Sequence, residues 1–187
     1  MKWATTWTRQ LDAAGIPVDL GLSEEELTGV EQRFGFAFAP VHRRFLAQAL
    51  PLGPGWVDRR RHPMHAIQDR LDWPEEGLIF DVLNSDFWPR SWGTRPPDDR
   101  QAVLTARAQI RYLPTLVPIY SHRYLPAAPT IEPTPVFSVS QSDVIVYGAD
   151  LAGYLAHEFH LPRQPDQEPA HVPFWSELAD GADNDEF

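Results

Sequence analysis

The sequence predicts an α+β fold, an antiparallel-rich central sheet flanked by N-terminal and C-terminal helices, on three observations. Amphipathic helical spacing fills most of the first fifty residues. Short strand-like runs, Leu116 to Tyr120 with Tyr124 and Leu125, then Phe137 to Val139 with Val144 to Tyr147, are gathered in the second half, and a further helical stripe follows them. Helices segregated from hairpins in this way suit an α+β arrangement and not the strand-helix alternation of a Rossmann-like sheet.

Residues 3 to 14 carry Trp3, Trp7 and Leu11 at four-residue spacing and end at Gly15, which predicts a short helical arm. Ser23 with Glu26 is a capping-box pattern, and Leu27, Val30 and Phe34 continue it as an amphipathic helix. Pro40 suits the first turn of the next helix, whose apolar positions are Val41, Phe45 and Ala49 with Leu46 and Leu50. Pro51 to Gly55 break it, and the charged run Asp58 to His62 reads as a strand end or an exposed loop. One more short helix is expected over residues 64 to 72, and Leu78 to Val82, after Gly77, has the length and composition of a strand. Asp98 is a good N-cap for a helix with Val103, Ala106, Ile110 and Leu113 on its buried side. Pro118 places the strand at Leu116 to Tyr120 on an edge or a bulge, because proline lacks the ladder donor. After a proline-rich loop comes the hairpin of Phe137 to Tyr147, and Asp150 then caps a helix lined by Leu151, Tyr154, Leu155 and Phe159. Beyond Pro162 the chain is rich in Pro, Gln, Asp and Glu; Phe174, Trp175 and Leu178 can dock back, and the last residues read as frayed.

A chain of 187 residues, 43 % hydrophobic and 12 % aromatic, is expected to form a single domain of residues 1–187. Its core is placed at about 20–160, with 1–19 as a helical arm and 161–187 as a Pro-rich acidic tail. The chain contains no cysteine, which excludes disulfides, thiolate nucleophiles and cysteine-held metals. No apolar run reaches signal-peptide or membrane-spanning length, so the cytoplasm is the expected location and no membrane partner is expected. The net charge of −10 repels nucleic acid and favours encounter with a basic protein.

Signs of chemistry are weak. Gly-x-Ser-x-Gly and phosphate-cradling glycine motifs are missing, and Lys2 is the one lysine. Ser138, Ser140 and Ser142 read as the polar side of a strand and its turn. His62 with His65 and Asp69, and His157 with His160, have the three-residue spacing that metal ligands can use, but exposed histidines account for both pairs. Glu75 and Glu76 are neighbours in sequence and diverge in most backbones, so they make a poor glycosidase pair. No catalytic residue, metal or cofactor is expected. Trp56, Phe87, Trp88 and Trp92 lie among turn residues, where indoles serve either as core or as interface anchors. Arg59, Arg60, Arg61, Arg90, Arg95 and Arg123 are interleaved with them.

The order of several segments resembles the SUKH superfamily, which includes the fungal Smi/Knr regulators of glucan synthesis. These segments are Leu22-Ser23 with Glu24 to Glu26, the Pro40 to Leu50 helix, Gly55-Trp56, Gly77 to Asp81, Phe87-Trp88 with Trp92-Gly93, Val117 to Tyr120 with His122 to Leu125, and Val136 to Val139 through Asp143-Val144-Ile145 to Tyr147-Gly148. The resemblance covers roughly residues 20 to 160, and the N-terminal arm and acidic tail depart from it. It implies an α+β domain without enzymatic activity or cofactor. Bacterial members look like immunity proteins that neutralise nuclease or deaminase toxins by direct contact; the alternative is a regulatory scaffold of Smi/Knr type linked to cell-wall synthesis or signalling. On this reading the partner is another protein, such as a basic toxin domain, and the expected partner-binding face is Trp56, Arg59, Asp81, Phe87, Trp88, Trp92, Arg123 and Asp143.

Overall fold

The structure, a computed structural model, describes residues 4–162, 165 and 167–181. Among them are seven helices and two antiparallel sheets of two and four strands, with 44 % helix and 16 % strand, and the fold class is α+β as the sequence predicts.

The N-terminal unit follows its local signals. Helix α1 (Ala4–Ala13) stops before Gly15, which takes a positive φ. Strand β1 (Val18–Leu20) leads to α2 (Glu24–Phe34), where Ser23 and Glu26 satisfy each other's backbone N–H groups and Gly35 closes the other end in the left-handed region. Helix α3 (Pro40–Gln48) opens on its proline and runs into β2 (Ala49–Pro51), which pairs with β1.

Helix α4 (Met64–Asn84) replaces both the short helix expected over 64 to 72 and the strand expected at Leu78 to Val82. The apolar run is helical because Ile67, Pro74, Leu78 and Val82 recur at steps of seven, four and four residues and are buried together. Pro74 lies inside this helix and cannot donate to the Arg70 carbonyl one turn back. That carbonyl accepts instead from the Tyr124 hydroxyl at 3.0 Å, so the helix crosses its proline with the acceptor satisfied. A 3₁₀ turn at Arg90–Trp92 precedes α5 (Asp99–Ile110), which Asp98 caps as predicted. Arg95 reaches the Val82 carbonyl and Arg107 meets Glu75 and Glu76, so α5 runs back along α4.

The larger sheet is a meander of β3 (Leu116–Tyr120), β4 (Arg123–Pro126), β5 (Val136–Ser140) and β6 (Asp143–Gly148). Pro118 does lie on an edge strand, at a register shift. Strand alternation gives the sheet two apolar faces. Val117, Ile119, Leu125 and Val136 join a core with α1, α2, α3 and α6 (Leu151–Glu158), whereas Leu116, Tyr124, Phe137, Val139 and Val144 join one with α4, α5 and α7 (Trp175–Ala179).

The arm and the tail take part in these cores. Leu11 is fully buried, and Val172, Phe174 and Trp175 are buried beside Trp92 and β6, so the core extends beyond the 20–160 expected. The predicted docking of Phe174, Trp175 and Leu178 is therefore found. Trp3 and the acidic residues Asp183, Asp185 and Glu186 lie outside the described residues.

Candidate functional site

The expected partner-binding face does not form as a single surface, because most of its residues are drawn into the fold. Trp56 is buried, stacked on Phe159 with centroids 5.3 Å apart and tilted on Tyr120 at 5.0 Å. Phe87 and Trp92 are buried in a separate cluster, where Trp92 meets Phe87 edge-on and stacks on Phe174 at 6.0 Å. The glycines and prolines around these rings bend the chain so that its turns point inward. Trp88 is half-buried; its Nε1 donates to the Gly93 carbonyl at 2.7 Å and its ring meets Trp92 edge-on.

The charged members are dispersed too. Asp81 is buried and accepts from the Ser142 N–H at 2.9 Å, the Ser142 hydroxyl at 2.6 Å and the Ser85 hydroxyl at 3.1 Å, which clamps α4 to the β5–β6 turn. It is a structural acceptor, and its expected place on the partner-binding face is corrected. Arg123 is buried because alternation along β4 turns it under α6, where it donates to Ser138 Oγ at 2.8 Å, lies 3.8 Å over the Tyr147 ring and has Nε 3.5 Å from Glu158. Burial and the Glu158 charge push the neighbouring Tyr154 hydroxyl up. Arg59 is half-buried and holds the Pro118 carbonyl at 2.7 Å on the outer edge of β3, standing where a further strand's N–H would be. Asp143 is exposed at the start of β6, beside the turn that Asp81 holds.

What the fold does present is the outer side of α4. Trp73 and Phe80, seven residues apart, share one side of the helix with Leu83 beyond them, opposite the buried Ile67, Leu78 and Val82. They are 57 %, 51 % and 45 % exposed, and Leu104 on the adjacent α5 is 62 % exposed. Gly77, between the two aromatics, lets the β5–β6 turn approach so closely that a Cβ there would lie 2.8 Å from the Gln141 Cα. The carboxylates of Asp69, Asp72 and Asp143 are exposed in the same region, so the face combines aromatic anchors with an acidic surround. The reading of Leu78 to Val82 as a strand concealed it; the signal that finds it is the seven-residue step from Trp73 to Phe80, carried through Pro74.

Elsewhere, His62 and His65 are exposed, and His157 and His160 line a cavity of about 420 Å³ with Tyr147, Asp150 and Gln167. Asp150 is engaged there by the Gly153 N–H and the Gln167 amide. Among the described residues, no group of three or more His, Asp or Glu stands together as a metal site. Glu75 and Glu76 both pair with Arg107. The Ser121 hydroxyl lies 3.1 Å from His122 Nδ1, but the two are successive residues of one exposed turn. Burial, then the Arg123 charge, lowers the His122 pKa, with Glu158 opposing. No helix among the described residues is long and apolar enough to cross a membrane.

Compared with protein-family models, with curated proteins and with solved structures, the chain matches none. The resemblance to the SUKH superfamily accordingly rests on the order of the sequence segments alone.

Proposed function

We propose that this chain is a protein-binding module without enzymatic activity, of the immunity type, and that it neutralises a basic toxin domain by direct contact through the outer side of α4. The observation that carries this reading is the exposure of Trp73, Phe80, Leu83 and Leu104 on helices whose opposite sides are already packed. Large apolar side chains gathered on one face mark interaction surfaces, and tryptophan heads the residues that dominate binding energy. The exposed carboxylates nearby and the net charge of −10 select a cationic partner and speed its approach.

The test is coexpression with a nuclease or deaminase toxin domain encoded beside this chain. The expected results are protection of the cell and a stoichiometric complex. Trp73→Ala or Phe80→Ala should weaken that complex by at least about 2 kcal/mol, roughly thirty-fold, while leaving the fold intact. Full-strength binding by both variants, or no complex at all, counts against the reading. Several weak housekeeping partners in place of one tight toxin would favour the Smi/Knr-type scaffold.

A further inference from the structure

Arg43, Arg44, Arg60, Arg61, Arg95, Arg107 and Arg123 each lie within ion-pair distance of a carboxylate. Arg59 and Arg70 differ: among the described residues, their guanidiniums hold backbone carbonyls only. Arg59 donates to Pro118 O at 2.7 Å and Val57 O at 3.3 Å, and Arg70 donates to Gly55 O at 2.8 Å. Those carbonyls belong to one small patch, because the segment around Trp56 pairs with Tyr120 at the outer edge of β3. The loop before α4 and α4 itself thus each place a guanidinium on carbonyls of this edge. Burial chiefly, and then the Arg70 charge, pull the Arg59 guanidinium below its ordinary value.

Neighbouring like charges at a partly desolvated site are unfavourable unless an anion joins them. A guanidinium has five donors, of which these bonds use two on Arg59 and one on Arg70. Both residues are partly exposed, and the bond to Gly55 leaves four donors of Arg70 unused. A second feature lies near Arg59. His42 is 1 % exposed, neither of its ring nitrogens has a protein partner, and it meets Phe38 edge-on at 5.0 Å, the ring over which Arg59 lies at 5.3 Å. Burial first, then the Arg59 charge, keep this imidazole neutral, able both to donate and to accept.

We propose that Arg59 and Arg70 form a binding site for the phosphate group of a small molecule. A phosphate dianion balances two guanidiniums, and its oxygens suit their planar forks. The surrounding charge of −10 works against a polyanion such as nucleic acid, which leaves a compact phosphate as the fitting ligand. This inference is independent of the docking face on the outer side of α4.

The experiment titrates inorganic phosphate into the full chain near neutral pH, at ionic strength held constant with sodium chloride, and reads calorimetric heat and thermal midpoint. Acetate and O-phosphoserine are run in parallel. Saturable binding of one phosphate is expected, with acetate much weaker. Arg70→Gln should weaken phosphate at least about tenfold, and Arg111→Gln, at an exposed position at the end of α5, should change nothing. Tighter binding of O-phosphoserine identifies a phosphate ester as the ligand type, and tighter binding of inorganic phosphate identifies the free ion. Arg70→Lys keeps a donor for Gly55 and decides the question if Arg70→Gln does not fold, because it lacks the fork and should bind more weakly than the parent. The proposal is overturned by the absence of saturable binding, by acetate matching phosphate, or by a folded Arg70 variant that binds phosphate as the parent does.

Discussion

His42 links the stability of the protein to pH. In the folded chain it stays neutral well below the usual histidine pKa, because burial and then Arg59 oppose its charge. In the unfolded chain it takes up a proton below about pH 6.5. The unfolded state therefore binds more protons on the acid side, and stability falls as pH drops through about 6.5, with a slope that approaches about 1.4 kcal/mol per pH unit. Urea unfolding measured between neutral and mildly acidic pH should show this slope, and His42→Leu should make it shallower, the remainder coming from His122. The slope is present below the unfolded pKa and absent above it, so the two proteins should share the same pH response in the alkaline range.

Helix α4 shows how far an element can be read from residues alone. Ser23 with Glu26 and Asp98 act through neighbours in sequence, and both caps form where predicted. Leu78 to Val82 is ambiguous at that range, since a five-residue apolar run fits a strand or the inner side of a helix. The choice is made from elsewhere: Tyr124, on β4, supplies the hydrogen bond that Pro74 denies to Arg70, and Asp81 reaches the Ser142 turn. Such partners lie some fifty or sixty positions away and leave no local mark. The candidate site was missed for the same reason, because Trp73 and Phe80 line up only if the helix continues past its proline. Trp56, Phe87 and Trp92 look like anchors from their glycine and proline neighbours, yet packing turns them inward. Tyr124→Phe should leave the Arg70 carbonyl without its partner and cost about 1–3 kcal/mol, read as a lower urea midpoint at unchanged slope.

At the scale of the whole molecule, the two faces of the sheet are closed by segments far apart in the chain. Helix α7 reaches back over β6, with Trp175 Nε1 donating to the Pro114 carbonyl at 2.7 Å and Phe174 stacked on Trp92. The tail over 161–187 is Pro-rich and acidic, yet Val172 and the docking residues Phe174 and Trp175 are enough to bring its middle into the core. Ending the chain after Ala170 would strip Val172, Phe174 and Trp175 from that core. The shortened protein should unfold or lose several kcal/mol, on the order of two large core truncations; an unchanged thermal midpoint would show that α7 contributes nothing.

The Arg59 contact with Pro118 bears on how copies of this protein behave together in concentrated solution. An open strand border is the usual template for runaway polymerisation, because any extended chain can lay itself alongside. Here the border carries a proline that cannot donate, a carbonyl already occupied by a guanidinium, and a short pairing at Trp56 and Tyr120. Stray molecules find no unspent pairing groups at these positions, which protects the sheet from templated growth along this border.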